Sequence, residues 1–459
     1  MILISSINLH LRKHIICLII HAILSFIAWN FYGILFLGNL FIFFYLFYQL
    51  KNEGNYSKIL IPFSYFLILN ITSTFWLLDV DFKNGIITFF TNTILMSVFY
   101  VPFLFFLKKS KYSSLILILI WVFGEWILTK WDLAWPWLNF GNVLGNMWYL
   151  IQWYSFLGVY GGTLWLLLFA NSLYQLIVFK MAPQKYILFV LLILPIQSII
   201  AYYMPNDENL KTEKISCYVP ENEKSSYKKT KTLLESINKT NASLVITPEL
   251  FYCNTYATEF SNGDLSSLFK TEFKLKKNAK FVFGTEIQND SVIKFNGITY
   301  LDNKQILFRT KKKYVPVTEF THPFLVPFFG RSYYTKNNND DSRQIKKSIN
   351  SFPFVCYEIL FSDFVAKNSL KTNKIILLAS EAFLNDSEIG KKQYLNLVRL
   401  RAIENNKTLI KCSYKGISCV VSPKGKILKH LKEGINTETI EVNDKTTPYH
   451  TIIKTLHFL

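Results

Sequence analysis

Two textures divide the chain. From His14 to Tyr203 apolar residues run in long stretches, at roughly 15–31, 33–50, 59–78, 86–107, 113–129, 155–179 and 186–204. Each approaches the ~20 residues that cross a ~30 Å hydrocarbon core. Several lack any polar face, which a soluble helical core would need, so the pattern predicts about seven spans in a domain covering 1–204. The first two are short and read as a hairpin around Asn30. No small-residue cleavage site follows the first, so it reads as an anchor and not as a secretory signal.

Beyond residue 204 the pattern changes to short Val/Ile/Phe runs between turn signals, and the spacing predicts one α/β domain over 205–445 with a tail at 446–459. "SLVITPEL" (243–250), "KFVFGTEI" (280–287), "FPFVCYEIL" (352–360) and "KIILLASEAF" (374–383) read as inner strands. Asp302-Asn303 marks one hairpin turn, and Pro-Lys-Gly within "SCVVSPKGKI" marks another. With the helical run "KKQYLNLVRLRAIENN" (391–406), these elements predict a layered α/β sandwich. The closing "TIIKTLHFL" is too short and too polar to span.

Composition sharpens this division. The chain is 51% hydrophobic with 41 Phe, yet carries 50 Lys+Arg, so apolar and charged residues must be segregated. Lys and Arg fall on alternate connections (Arg12 and Lys13, Lys51 and Lys58, Lys108 to Lys111, Lys180 and Lys185), which predicts that those face the cytoplasm and that the second half lies outside. The net charge of +19 is spread without a basic helix or an aromatic-stacking motif. It points to an anionic lipid surface and away from nucleic acid. Six cysteines show no metal spacing, and their pairing stays open.

Chemistry-bearing residues close the apolar strands: Glu249 after "VITP", Lys311 after "ILFRT", and Cys356 two before Glu358. A thiol needs a base, which a desolvated carboxylate can supply, and a lysine can face the charge of a tetrahedral oxyanion. Taken in order, Pro-Glu, Lys-x-x-x-Val-Pro-x-x-Glu and Cys-Tyr-Glu resemble the nitrilase, or carbon-nitrogen hydrolase, superfamily. With spans ahead, the chain looks like its membrane-embedded branch, the apolipoprotein N-acyltransferases. "GEWILTKWDLAWPWLNFGN" (124–142), "QWYSFLGVYGGTLW" (152–165), "RLRAIENN" (399–406) and "KGISCVVSPKGKI" (415–427) are similar to that family's motifs, so the likeness covers about 115–430.

The resemblance implies an αββα catalytic sandwich outside a multi-pass helical domain, on the periplasmic side of a bacterial inner membrane. It implies Glu249 as general base, Lys311 as oxyanion stabiliser and Cys356 as nucleophile, with Glu319, Tyr357 and Glu358 supporting them. Cys356 takes an acyl chain from a phospholipid as a thioester and passes it to the α-amine of a lipoprotein's N-terminal diacylglyceryl-cysteine, with neither cofactor nor metal, in a monomer. The alternative is a membrane-tethered amidase with the same residues and water as acceptor. A scaffold without activity is disfavoured by the complete triad.

Departures from the family pattern are Thr247 where a Trp is usual, "SEAF" (380–383) for Asn-Asp-x-Trp, Tyr394 for a His, and the missing last membrane helix. Glu125, Trp135 and Trp137 are candidate lipid contacts. Cys253, Cys412 and Cys419 read as structural, Arg399, Arg401 and Glu404 as ion-pair residues, and His322 lacks an orienting partner for a Cys-His scheme. The polar "SYYTKNNNDDSR" (332–343) is expected to be a mobile lid.

Overall fold

A computed structural model describes residues 2–106, 112–205, 210–220, 242–256, 280–289, 293–302, 305–336 and 341–456. The chain divides into two units: Met1–Lys130 with Trp135–Tyr203 and Ser387–Leu400, and Trp131–Ala134 with Met204–Asp386 and Arg401–Leu459.

The first unit is helical. Its main helices are α1 (Ile2–Asn30), α2 (Phe36–Leu50), α3 (Asn55–Thr74), α4 (Phe82–Val98), α5 (Ser113–Leu128), α6 (Tyr154–Val178) and α7 (Gln184–Tyr203). Five segments are long and apolar enough to cross a membrane: Arg12–Asn30, Gly33–Leu50, Phe82–Phe105, Tyr154–Val178 and Gln184–Tyr203. Helix α5 is apolar but shorter, and α3 carries Asn55, Ser57, Lys58, Ser64 and Asn70 among its apolar residues, so the expected seven shrink by this measure. Tyr186, Phe189, Val190, Ile196 and Ile200 of α7 are all exposed. That is the inverse of a soluble helix and the pattern a helix shows toward lipid.

Inside this unit the polar groups are matched. Gln393 accepts from the indole nitrogens of Trp76 (3.2 Å) and Trp137 (2.9 Å) and donates to Asn30 Oδ1 and Ser73 O. Buried amides left unpaired would cost about 1–3 kcal/mol each, so such a hub fixes its neighbours.

The second unit holds strands β1 (Lys211–Val219), β2 (Leu244–Ile246), β3 (Tyr252–Tyr256), β4 (Lys280–Asn289), β5 (Ile293–Leu301), β6 (Ile306–Thr310), β7 (Pro353–Val355), β8 (Ile375–Ser380), β9 (Leu409–Tyr414), β10 (Cys419–Val421), β11 (Ile427–His430) and β12 (Gly434–Val442). One sheet runs β12-β1-β2-β4-β5-β6 with β3 beside β4, and the other β11-β10-β9-β8-β7. Both expected strand pairs form, β5–β6, whose connection past Asp302 lies outside the described residues, and β10–β11 across Pro423-Lys424-Gly425.

Period-2 alternation turns one face of each sheet into a shared core: Ile215, Ile246 and Val282 of the first meet Ile376, Leu378 and Ile410 of the second. The second sheet's other face is covered. Phe364 of α9 (Ser362–Ser369) packs on Phe352 and Phe354 at ring-centroid distances of 6.0 Å, and Ala366 clusters with Tyr449 and Ile453 of α11 (Pro448–Leu456). The expected tail at 446–459 is therefore a packed helix in its described part. Between them in sequence come α8 (Ser342–Ile349) before β7, and α10 (Glu388–Asn405) after β8. The helices expected over the first sheet's other face fall outside the described residues.

Candidate active site

Chain direction collects the reactive residues at one end of the strands. Glu249 follows β2, Lys311 follows β6, Cys356 follows β7 and Ser380 closes β8. Strands β7 and β8 are parallel, so their carboxyl ends lie side by side.

Glu249 is held by close backbone approach. Gly284 N donates to Pro248 O at 3.2 Å, and a Cβ on Gly284 would lie 2.3 Å from that oxygen and 2.5 Å from Glu249 Cα. Only glycine fits there. The buried carboxylate accepts from Lys311 Nζ (2.9 Å) and Asn296 Nδ2 (2.8 Å) on Oε1, and from Ser380 N (3.1 Å) on Oε2.

Lys311 is enclosed between two carboxylates, with Nζ 2.9 Å from Glu249 and 2.7 Å from Glu319. Its backbone N donates to Asn296 O at 2.8 Å. Burial alone would lower its pKa, but the charges of Glu249 and Glu319 outweigh it and hold the ammonium well above the usual lysine value. Burial raises Glu319 against the pull of Lys311, while its other oxygen accepts from Val315 N at 2.8 Å.

Cys356 opens the turn Cys356–Leu360 with φ +41, a left-handed backbone that costs a non-glycine residue about 1–2 kcal/mol. The sharp reversal directs Sγ toward Ser380 O, 3.9 Å away. Burial pushes the thiol well above its ordinary pKa, the charge of Glu249 adds to this, and Lys311 opposes it. This favours the thiol over the thiolate, the form that reacts as a nucleophile.

Neighbouring side chains fix this frame. Glu358, fully buried, accepts from Arg309 Nη2 (2.6 Å to each oxygen), Lys312 N (2.6 Å) and Val355 N (2.8 Å). It binds the loop carrying Lys311 to the turn carrying Cys356. Tyr357 donates its hydroxyl to Ala134 O at 2.7 Å, and burial raises its pKa. Tyr334 donates to Glu286 Oε2 at 3.0 Å.

The structure thus brings Glu249, Lys311, Cys356 and Glu319 into one buried cluster, with Tyr357 and Glu358 behind it. Asn296 was missed: it holds Glu249 through its side chain and Lys311 through its carbonyl, and the only trace in sequence is an Asn-Gly inside an apolar strand. The peptide of Ser380 was missed as well.

Other expectations land elsewhere. Glu125 and Trp137 sit inside the helical unit and not on its surface. Glu125 accepts from Thr163 Oγ1 (2.6 Å), Phe140 N (2.8 Å) and Trp121 Nε1 (3.2 Å), and Trp137 gives its indole hydrogen to Gln393. Trp135 stacks on Trp137 at 5.6 Å. Arg401 pairs with Glu404 at 3.2 Å, and His322 contacts Phe324. Cys17, Cys217, Cys356, Cys412 and Cys419 are in the thiol form, and the side chain of Cys253 lies outside the described residues. Within the expected lid, Ser332 bonds to Thr321, Tyr334 N to Glu319 O and Thr335 N to Lys294 O, so 332–336 is tied down; 337–340 lies outside the described residues.

Residues 214–449 match the carbon-nitrogen hydrolase family model, and residues 20–172 match the apolipoprotein N-acyltransferase N-terminal domain. Among curated relatives, the apolipoprotein N-acyltransferase of Rickettsia bellii is 25% identical over 366 residues, covering 72% of this chain and 69% of its own. That of Rickettsia prowazekii is 26% identical over 371 residues, covering 71% and 69%. Among solved structures, a CN-hydrolase superfamily protein from Xanthomonas campestris aligns at TM-score 0.36 with 16% identity, over 50% of this chain and 91% of its own.

Proposed function

This chain belongs to the carbon-nitrogen hydrolase family, in its membrane-embedded apolipoprotein N-acyltransferase branch, and we propose that it N-acylates the diacylglyceryl-cysteine of apolipoproteins with a phospholipid as acyl donor. What carries the reading is the convergence of Cys356 and Glu249 on the backbone of one residue, the carbonyl and the N–H of Ser380, beside the charged Lys311.

Glu249 takes the proton from Cys356 Sγ as sulfur bonds to the ester carbonyl carbon of the phospholipid. The carbonyl oxygen, now negative, faces the Lys311 ammonium, an electrostatic contribution worth about 3 kcal/mol for one well-placed donor. Collapse breaks the ester C–O bond, the departing glycerol oxygen takes the proton from Glu249, and a lysophospholipid leaves behind a thioester. The α-amine of the lipoprotein then attacks the thioester carbon and gives a proton to Glu249. The C–S bond breaks, and that proton returns to the sulfur. Glu319 keeps Lys311 charged throughout, which leaves Glu249 available as base.

Alternation of Lys and Arg along the helical half supports a catalytic domain on the periplasmic side of a bacterial inner membrane, and the chain acts as a monomer. The test is intact mass spectrometry of the protein mixed with phospholipid alone. The expected result is a mass gain of one acyl group on the native chain and none on Cys356→Ala, with transfer when a diacylglyceryl peptide is added. A mass gain only with small amides would replace the acyltransferase by an amidase.

A further inference from the structure

Four cations converge on one cavity at the opposite ends of β7 and β8 from Cys356 and Ser380. Arg343, Lys346 and Lys347 come from α8, and Lys371 from the turn before β8, with φ +60. Together with Asn350 they line a cavity of about 390 Å³. Among the described residues no carboxylate lines it and none of the four cations is in an ion pair. Asp444 accepts from Asn350 Nδ2 at 3.3 Å but lies outside the lining.

Ordinary surface charge does not account for this group. Lys346 and Lys347 occupy the last turn of α8, where cations complement the helix carbonyls. Arg343, in the first turn, sits at the end where a cation is disfavoured. Lys371 comes from a separate element in a backbone conformation that disfavours lysine. Lys346 is half-buried, and burial together with the charge of Lys371 pushes it down to about 8. Like charges gathered in a shared recess repel, and a bound anion relieves that repulsion.

We propose that this cavity binds a phosphate-class anion, with the Arg343 fork and the Lys346, Lys347 and Lys371 ammonium groups as its donors. An arginine fork matches two phosphate oxygens and lysines add point charge. A volume within the usual ~300–1,000 Å³ of ligand sites leaves room for a glycerol or sugar attached to the phosphate. The same chemistry is offered by a free phosphate and by an anionic lipid headgroup. The site stands apart from the acyl-transfer cluster and does not depend on that reading.

The test uses the full chain in a neutral detergent at low salt, with thermal unfolding followed against inorganic phosphate, short-chain phosphatidylglycerol, and sodium chloride at matched ionic strength. Phosphate is expected to raise the midpoint of the native chain beyond the chloride control. Lys346→Gln/Lys371→Gln is expected to weaken the apparent Kd about tenfold or more, from the lost charge-assisted bonds. Without anion the double variant should melt no lower than the native chain, because like-charge repulsion has been removed. Lys347→Gln, at an exposed position, gives the same direction with little risk to folding. A response to inorganic phosphate identifies a free-anion site, and one to phosphatidylglycerol alone a headgroup site. Equal responses of native and variant chains, or none beyond chloride, would overturn the proposal.

Discussion

Glu358 binds Arg309 with both carboxylate oxygens, each 2.6 Å from the same guanidinium nitrogen, and neither side chain reaches solvent. The arginine also lies over the Phe352 ring at 4.2 Å. Since Glu358 takes hydrogen bonds from Lys312 N and Val355 N as well, the pair joins the two segments that deliver the ammonium and the thiol. Removing one member leaves a buried charge alone, at about 3–5 kcal/mol. Glu358→Gln is expected to lower the unfolding free energy by about 3–5 kcal/mol and to slow acyl-enzyme formation. Arg309→Met/Glu358→Leu should recover part of the stability and none of the activity; chemical denaturation of all three chains checks this.

At Cys356 the backbone conformation is separable from the thiol. Alanine keeps the cost of φ +41 and glycine does not, so Cys356→Gly should be about 1 kcal/mol more stable than Cys356→Ala although both lack the thiol. Equal stability would mean that the turn relaxes without help.

The pH dependence of the thiol reports its two charged neighbours separately. Burial raises the pKa of Cys356 most, the charges of Glu249 and Glu319 add to that, and the Lys311 ammonium opposes it. Glu319→Gln should move iodoacetamide labelling of Cys356 to lower pH, and Lys311→Met should move it higher, as read by peptide mass mapping. A profile unmoved by Glu319→Gln would restrict that carboxylate to acting on Lys311 alone.

Glu125 offers a prediction about the helical unit. Its three donors make it a packing element, so Glu125→Ala should cost about 3 kcal/mol. Turnover measured with donors of different headgroup should keep its order of preference; a change in that order would restore Glu125 as a lipid contact.

Much of the catalytic unit was legible because its physics is local. Strands β2, β4, β7 and β8 announce themselves as apolar runs, and a charge or thiol that ends such a run must come to a sheet edge, as Glu249, Lys311 and Cys356 do. Asn296 was not legible, since an asparagine in a strand declares nothing until the residue opposite it is known. Glu125 and Trp137 were misplaced because hydropathy marks a helix as apolar without saying which side faces other helices. Residues 387–400 were assigned to the α/β half from their polarity, yet they group with the helical unit, where Gln393 meets Trp76 and Trp137. Polar matching between segments far apart in sequence leaves no periodic trace.

Ser380 contributes to the cluster through its main chain alone: the N–H serves Glu249 and the carbonyl faces Cys356. What matters at this position is where the two flanking peptide planes lie, and β8 sets that by its register with β9, in which Ser380 pairs with Tyr414. The side chain at 380 takes no part in either contact, so "SEAF", a departure from the family pattern Asn-Asp-x-Trp, keeps both. Replacing the amide link between Ala379 and Ser380 by an ester removes the N–H that serves Glu249 and leaves every side chain in place, so it singles out a contact that no side-chain substitution at 380 reaches.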